Sequence, residues 1–261
     1  EETLKKEDRF QEANSVYDLC KLTTVADLLS IAKSDFATLA YLTQNRQLPN
    51  PHVLSFLESS DMLGGACFDY YPGSNTCMLS YFLVNQTIRS SGLGKKLIEI
   101  SKVISDVDAR RCGHLSCSAY YLETNRDLPG VADTISPAVR HKILSNIGLK
   151  AIRFNYIQPP LGPEFNAYYD FVFCVWHVSD LPQIESNGKF YISANTVKIF
   201  LKEMWFESIA GWKKGYTMQE ALQDKDLQSM LLELDRNPLV EIIPLPWSIE
   251  RIQPIPLTAK L

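Results

Sequence analysis

The sequence predicts an α/β (α+β) fold with a helical C-terminal extension, and three observations carry that prediction. Two apolar, strand-like runs at 63–71 and 77–84 flank Pro72-Gly73-Ser74-Asn75, a turn signature, and read as an antiparallel hairpin. Two stretches with helical apolar spacing, 93–107 and 137–147, alternate with further strand-like runs. Beyond about residue 180 helical spacing dominates. With 46% hydrophobic and 21% charged residues the chain can bury a core, which excludes wholesale disorder. Its 261 residues fall between one domain and two, at roughly 150 residues per domain.

The elements follow in order. Residues 1–23 are mostly polar and read as an N-terminal arm. Thr24 can cap a helix whose Val25, Leu28, Leu29, Ala32, Phe36 and Leu39 keep helical spacing, and Pro49-Asn50-Pro51 closes that region. Strands are expected at 52–57, 63–71 and 77–84, then a loop at 87–94. The helix at 93–107 carries Leu93, Leu97, Ile100, Ile104 and Val107 on one face. A strand at 114–121 precedes a helix at 137–147, with Ser136 in the N-cap position and Gly148 where a C-terminal glycine belongs. Strands at 150–157, stopped by Pro159-Pro160, and at 168–178 complete a unit spanning 24–180. In the extension, 181–261, Ser193 opens a helix with Val197, Phe200, Leu201, Met204 and Trp205 on one face. Thr217 and Glu220 form a capping box leading into a helix to about Leu234, and 239–243 reads as a short strand. The extension is too short for a comfortable core of its own, so its apolar faces either dock on the preceding unit or form a homodimer interface.

Charge and cysteine usage narrow the function. Lys and Arg total 26 against 30 Asp and Glu, a net charge of −4, so no basic surplus points to nucleic acid. No run reaches the ~18 apolar residues of a membrane span, and the opening EETLKKEDRFQEAN has no apolar signal region. The six cysteines form no CxxC pair. Cys112, His114 and Cys117 match no common zinc spacing, so no metal is expected. Reduced core thiols imply a reducing, cytoplasmic setting.

The most informative stretch is 79–96, LSYFLVNQTIRSSGLGKK. An apolar strand runs into Arg89-Ser90-Ser91-Gly92-Leu93-Gly94 and then directly into a helix. Two glycines let the backbone approach a ligand closely, and the first-turn N–H groups with the helix dipole favour phosphate or pyrophosphate. There is no GxxxxGK[ST] and no GxGxxG, which sets aside P-loop and dinucleotide folds. An ordinary glycine-rich turn before a core helix is the alternative.

With this loop in place, the chain resembles the GCN5-related N-acetyltransferases (GNAT), whose Arg/Gln-x-x-Gly-x-Gly/Ala loop binds the pyrophosphate of coenzyme A. The order of elements over 24–178 matches as well, and LETN (122–125), SPAVR (136–140) and FNYIQPPLG (154–162) look like a less-characterised branch of the family. The resemblance implies a mixed, mostly antiparallel, twisted sheet flanked by helices, with strands 77–84 and 114–121 splayed apart. Pantetheine would bind the backbone of Leu83 and Val84, and Arg89, Ser90, Ser91, Gly92, Leu93, Gly94 and Lys95 would hold the pyrophosphate. Asn125 is placed with this donor set, the alternatives being that it orients substrate or makes an Asx turn. The co-substrate implied is acetyl-CoA, with no metal.

Acetyl transfer to a primary amine needs a neutral amine and a protonated leaving thiolate. The family attacks directly, so Cys117 is not required as a nucleophile. Glu123, just past the expected strand end, is the first choice of base, and Asp170 is the second. Where the family has a tyrosine acid four residues before Gly148, this chain has Leu144. Tyr120, Tyr121, Tyr156 or bulk water would then serve, with Tyr121 put forward. Tyr156 and Gln158 are expected to contact the acceptor, a small-molecule or peptide amine, beside Phe165, Tyr168 and Tyr169. His141 is expected at the surface and His114 on a strand. A non-catalytic acyl-CoA-binding or protein-interaction module on the same fold is the alternative that Leu144 favours.

Overall fold

In a computed structural model of the protein, the residues described are 49–58, 61–89, 91–127, 135–176, 184–186 and 188–245. The arm at 1–23, the helix expected from Thr24 and the loop residue Ser90 lie outside them. The chain divides into two compact units. One holds the described residues to Pro72 together with Met78–Leu115, and the other holds Gly73–Cys77 and the described residues from Ser116 onward. Among the described residues no helix is long and apolar enough to cross a membrane.

In the first unit, β1 (Asn50–Glu58) pairs antiparallel with β2 (Asp61–Tyr71), from Asn50 opposite Tyr70 to Glu58 opposite Asp61. The β2 strand lies beside β3 (Thr76–Val84), whose residues from Met78 belong to this unit. Gly64 permits the close fit of β2. A Cβ there would stand 2.8 Å from the Leu83 carbonyl oxygen and 3.2 Å from side-chain carbons of Leu93 and Leu97.

Helix α1 (Leu93–Arg111) packs on β2. It is longer than the expected 93–107, and its buried face is turned from the expected stripe. Leu93, Leu97, Ile98, Ser101, Ser105, Asp108 and Ala109 are buried, while Ile100, Ile104 and Val107 are only half-buried. The second half of the buried face is therefore polar, and part of it is satisfied in place. The Ser101 hydroxyl donates to the Leu97 carbonyl (2.8 Å). Asp108 Oδ2 accepts from Asn50 Nδ2 (2.9 Å) and meets His52 Nε2 at 2.5 Å, while Arg111 donates to Oδ1 (3.3 Å). His52 in turn stacks on Phe68, with ring centroids 4.9 Å apart. Asp108→Ala strands the Asn50 and His52 donors against a buried helix face. It is expected to cost about 2–3 kcal/mol of unfolding free energy, read as a lower urea midpoint at unchanged m-value.

In the second unit the strands β4 (Ala119–Asn125), β5 (Leu149–Ile152), β6 (Phe171–Trp176), β7 (Ile184–Ser186), β8 (Lys189–Ser193) and β9 (Leu239–Pro244) run in the order β4-β6-β5-β9-β8-β7. Each neighbouring pair is antiparallel. Four helices accompany them: α2 (Pro137–Ile147), α3 (Ala194–Ala210), α4 (Met218–Gln223) and α5 (Lys225–Asp235). The architecture is thus α/β, with a mostly antiparallel sheet and helices against it. The stretch from 181, expected to be helical, also supplies three strands, and β9 pairs directly with β5.

Several boundaries differ from expectation for identifiable reasons. The strand expected at 114–121 begins at Ala119, because the end of α1 folds back on itself. Cys112 N–H donates to the carbonyls of Asp108 and Ala109, Gly113 is left-handed at φ 89°, and His114 N–H donates to Ala109 (2.9 Å). His114 is therefore an exposed turn residue, not a strand residue. The strand expected at 150–157 ends at Ile152, since Asn155 N–H turns to the Glu233 carboxylate (3.2 Å) and Ile157 N–H to Met230 Sδ (3.2 Å). The helix expected to run unbroken from Thr217 is interrupted at Asp224, whose Oδ1 caps α5 by accepting from the N–H groups of Asp226 and Leu227.

The core of this unit is aromatic and centres on Phe173. Its ring stacks on Tyr156 (4.6 Å), Tyr121 (5.0 Å) and Phe200 (5.8 Å) and meets Phe154 edge-on (5.9 Å). The α3 face expected to be buried, Val197, Phe200, Leu201, Met204 and Trp205, is buried.

Candidate functional site

The glycine loop of the first unit is pinned at its base by Asn85. Its N–H donates to the Leu63 carbonyl (2.8 Å), its Nδ2 to the Met62 carbonyl (3.1 Å), and its Oδ1 accepts from the N–H and hydroxyl of Thr87. A single 3-10 turn, Gln86–Ile88, then hands the chain to Arg89, which is exposed. Ser91 N–H reaches back to the Ile88 carbonyl, and Ser91 Oγ accepts from Leu93 N–H (3.3 Å).

Gly92 is the N-cap of α1, at φ 83° and ψ −1°. This left-handed conformation suits glycine, and a Cβ built there would meet nothing within 4 Å. The first intrahelical bond runs from Lys96 N–H to the Gly92 carbonyl (3.2 Å), so the N–H groups of Gly94 and Lys95 precede it. No acidic side chain occupies this first turn, and Lys95 and Lys96 are exposed. Gly94 lies close to β3, where a Cβ would stand 3.1 Å from the Phe82 ring. Leu93 is buried at 6% exposure, so only its backbone is available to a ligand. Leu83 and Val84 end β3 half-buried. The loop thus has open space at Gly92, backbone donors, a positive helix end and no acid in the first helical turn, which together suit an anion such as pyrophosphate.

The second unit gathers three of the sequence-predicted residues around one carboxyl. Glu123 lies within β4, opposite Phe173 of β6, and not past the end of a strand as expected. The Tyr156 hydroxyl donates to Glu123 Oε1, and Gln158 Nε2 donates to Oε2 (2.6 Å). Burial pushes this carboxyl up to about 7, against the downward pull of both hydrogen bonds. A carboxyl poised near neutrality can take up and release a proton at working pH.

The remaining predicted residues sort differently. Tyr121 is 1% exposed, its ring between Phe173 and Phe200, and its hydroxyl has no hydrogen-bond partner among the described residues. Burial raises its phenol above the ordinary range. Tyr121 thus packs in the core of this unit, at the position where the sequence reading puts a catalytic acid. Tyr156, expected to contact the acceptor, is likewise 1% exposed, and its hydroxyl donates to Glu123. Asp170 precedes β6. Its carbonyl accepts from Arg126 N–H (2.9 Å), and it takes no part in the hydrogen bonds around Glu123.

Asn125 ends β4, and its carbonyl accepts from His141 Nε2 (2.9 Å). His141 is fully buried, not at the surface, and burial lowers its basicity. Cys117 is buried too, its thiol donating to the Ala119 carbonyl (3.3 Å). Among the described residues no group of three His, Cys, Asp or Glu side chains is placed to hold a metal ion. Phe165, Tyr168 and Tyr169 are exposed, and Tyr168 is tied to Gln158 by two backbone hydrogen bonds (2.8 and 3.0 Å).

Sequence reasoning did not foresee that Tyr156 and Gln158 hold Glu123. The one signal was their separation by a single residue, which puts both side chains on one side of an extended segment.

No protein-family model matches this chain, and no curated protein does. Solved structures do. One is described as an acetyltransferase of the GNAT family from Desulfovibrio desulfuricans, at 21% identity over 49% of this chain and 69% of that one, with a TM-score of 0.33. Another is described as a streptothricin acetyltransferase from Bacillus anthracis in complex with acetyl coenzyme A, at 15% identity over 52% and 68%, with a TM-score of 0.35. A third is an aminoglycoside 6'-N-acetyltransferase complexed with coenzyme A, at 12% identity over 56% and 79%, with a TM-score of 0.36. What this chain resembles among solved structures is thus a set of acetyltransferases, at low identity and over about half its length.

Proposed function

We propose that the chain is an acetyl-CoA-dependent N-acetyltransferase of the GCN5-related type, acting on a primary amine by direct attack. The observation that carries this reading is the turn into α1: left-handed Gly92 facing open space, backbone donors behind it, and no acid in the first turn. The N–H groups of Gly94 and Lys95 receive the pyrophosphate, Lys95 and Lys96 offset its charge, and the backbone of Leu83 and Val84 receives the pantetheine arm. Acetyl-CoA supplies the acetyl group as a thioester. Glu123 accepts the proton that a substrate ammonium must lose before its nitrogen can attack. Leu144 stands where the family has a tyrosine, and solvent is taken as the source of the proton for the departing thiolate. The acceptor is a small-molecule or peptide amine, and the exposed Phe165, Tyr168 and Tyr169 suit one with an apolar part.

A second reading, a non-catalytic acyl-CoA-binding module, is favoured by the same Leu144. Titration calorimetry comes first. The wild type is expected to bind acetyl-CoA, and Gly92→Asp to weaken binding by about 100-fold, because a carboxylate then faces the pyrophosphate and a like-charge contact costs several kcal/mol. A wild type that gives no binding heat, or a variant that binds equally well, refutes the pyrophosphate site. Binding without turnover of any amine selects the second reading.

A further inference from the structure

We infer that Tyr156 and Gln158 are positioning residues for the base, together clamping the Glu123 carboxylate through its two different oxygens. The inference rests on the acetyltransferase reading and extends it to residues that touch neither donor nor acceptor in that scheme.

The clamp is built to be rigid. Tyr156 donates to Oε1 from a ring stacked on Phe173 at 4.6 Å and set edge-on to Phe154 at 6.0 Å, so its hydroxyl has little freedom to swing away. Gln158 donates to Oε2 from a backbone held on both sides by Tyr168. With one donor on each oxygen, rotation of the carboxylate about its last bond breaks both hydrogen bonds. A carboxylate offers about four lone-pair sites, so two donors leave room to accept a proton from an incoming amine.

The surroundings argue against a purely structural clamp. Burial and these two donors account for the perturbation of Glu123. The neighbouring acid Glu233 is engaged by the Asn155 backbone and side chain (3.2 and 3.0 Å). Across β6 the carboxyl faces Phe173, and α3 contributes Phe200 to the same aromatic cluster. A carboxyl held among aromatic rings, with no cationic partner among the described residues, is a poor stabiliser, since an apolar side chain of similar volume would suit the site better. Two convergent donors hold such a carboxyl in one orientation, which a proton-transfer site needs.

The test combines two readouts on the full chain. Carbon-13 NMR of the glutamate carboxyls, with the Glu123 signal identified by its loss in Glu123→Gln, follows the titration directly. The pH profile of kcat/KM for thiol release from acetyl-CoA follows it through activity. Removing a donor disfavours the charged carboxylate. Tyr156→Phe and Gln158→Leu are therefore each expected to move the NMR midpoint and the acid limb upward together, by about one pH unit, with the activity loss in kcat and little change in amine KM. If Tyr156→Phe does not fold, Gln158→Leu carries the test, since its side chain is only half-buried. A midpoint that stays put in Gln158→Leu overturns the clamp, as does activity that falls with an unmoved acid limb. A midpoint that moves in a protein that acetylates no amine refutes the transferase reading, and with it the catalytic assignment of both residues, while the hydrogen bonds themselves stand.

Discussion

Glu123→Gln is expected to lower kcat for acetyl transfer by about 10²–10⁴-fold at pH 8, while acetyl-CoA affinity stays close to wild type. The change keeps the shape of the side chain and leaves an oxygen for the Tyr156 hydroxyl, but removes the carboxylate that takes the proton. The wild-type profile has its own signature. Because burial raises this carboxyl from 4.5 to about 7, kcat/KM should rise with pH through about 7 as the base ionises. Stability runs the other way. A carboxyl raised on folding binds its proton more tightly in the native state, so its contribution is most favourable below about 4.5 and is lost as pH rises through about 7. Glu123→Gln, neutral throughout, should therefore narrow the difference in urea midpoint between pH 5 and pH 8 while abolishing most of the activity. Unchanged turnover would remove Glu123 as the base.

Phe173→Ala carries the largest expected stability loss, about 3–5 kcal/mol, against a total of about 5–15 kcal/mol for a typical domain. Phe173 is 1% exposed and its ring touches four other aromatic rings, so the cavity it leaves cannot close without moving several large side chains. The loss also reaches the chemistry. Tyr156 loses the ring it stacks on, and the donor on Glu123 Oε1 loses its fixed position. Phe173→Leu keeps most of the volume and should retain a cooperative transition at a smaller cost. Urea unfolding of the two variants is the check. A loss below about 1 kcal/mol for Phe173→Ala would mean that the aromatic cluster is not the core of this unit.

What could be read in the sequence was whatever its local signals determine. Helix α2 was expected at 137–147 and spans Pro137–Ile147: Ser136 stands at its N-cap, though without a side-chain capping bond among the described residues, and left-handed Gly148 ends it, both local signals. The Thr217–Glu220 capping box forms as expected for the same reason. The buried face of α1 was misjudged because half of it is polar. Apolar periodicity does not register Asp108, whose partners Asn50 and His52 come from a strand more than fifty residues earlier. The strand ends at 114–118 and 153–157 were misjudged because their alternating composition suits a sheet, while their backbone groups bond elsewhere.

The candidate site divides in the same way. The glycine loop was legible because its chemistry is written in consecutive residues. Glu123 was legible as a candidate from its place on the chain. That Tyr121 points into the core while Tyr156 and Gln158 converge on Glu123 depends on the packing of β6 and α3, which no local pattern encodes.

The most direct test of the central claim is thiol release from acetyl-CoA over a panel of primary amines, with the acetylated product identified by mass spectrometry. Wild type, Gly92→Asp and Glu123→Gln are assayed side by side. The wild type is expected to give amine-dependent thiol release with stoichiometric N-acetyl product. Gly92→Asp should lose it through weakened acetyl-CoA binding, and Glu123→Gln through kcat at near-normal binding. Thiol release that is absent with every amine, or equal in all three proteins, would contradict it.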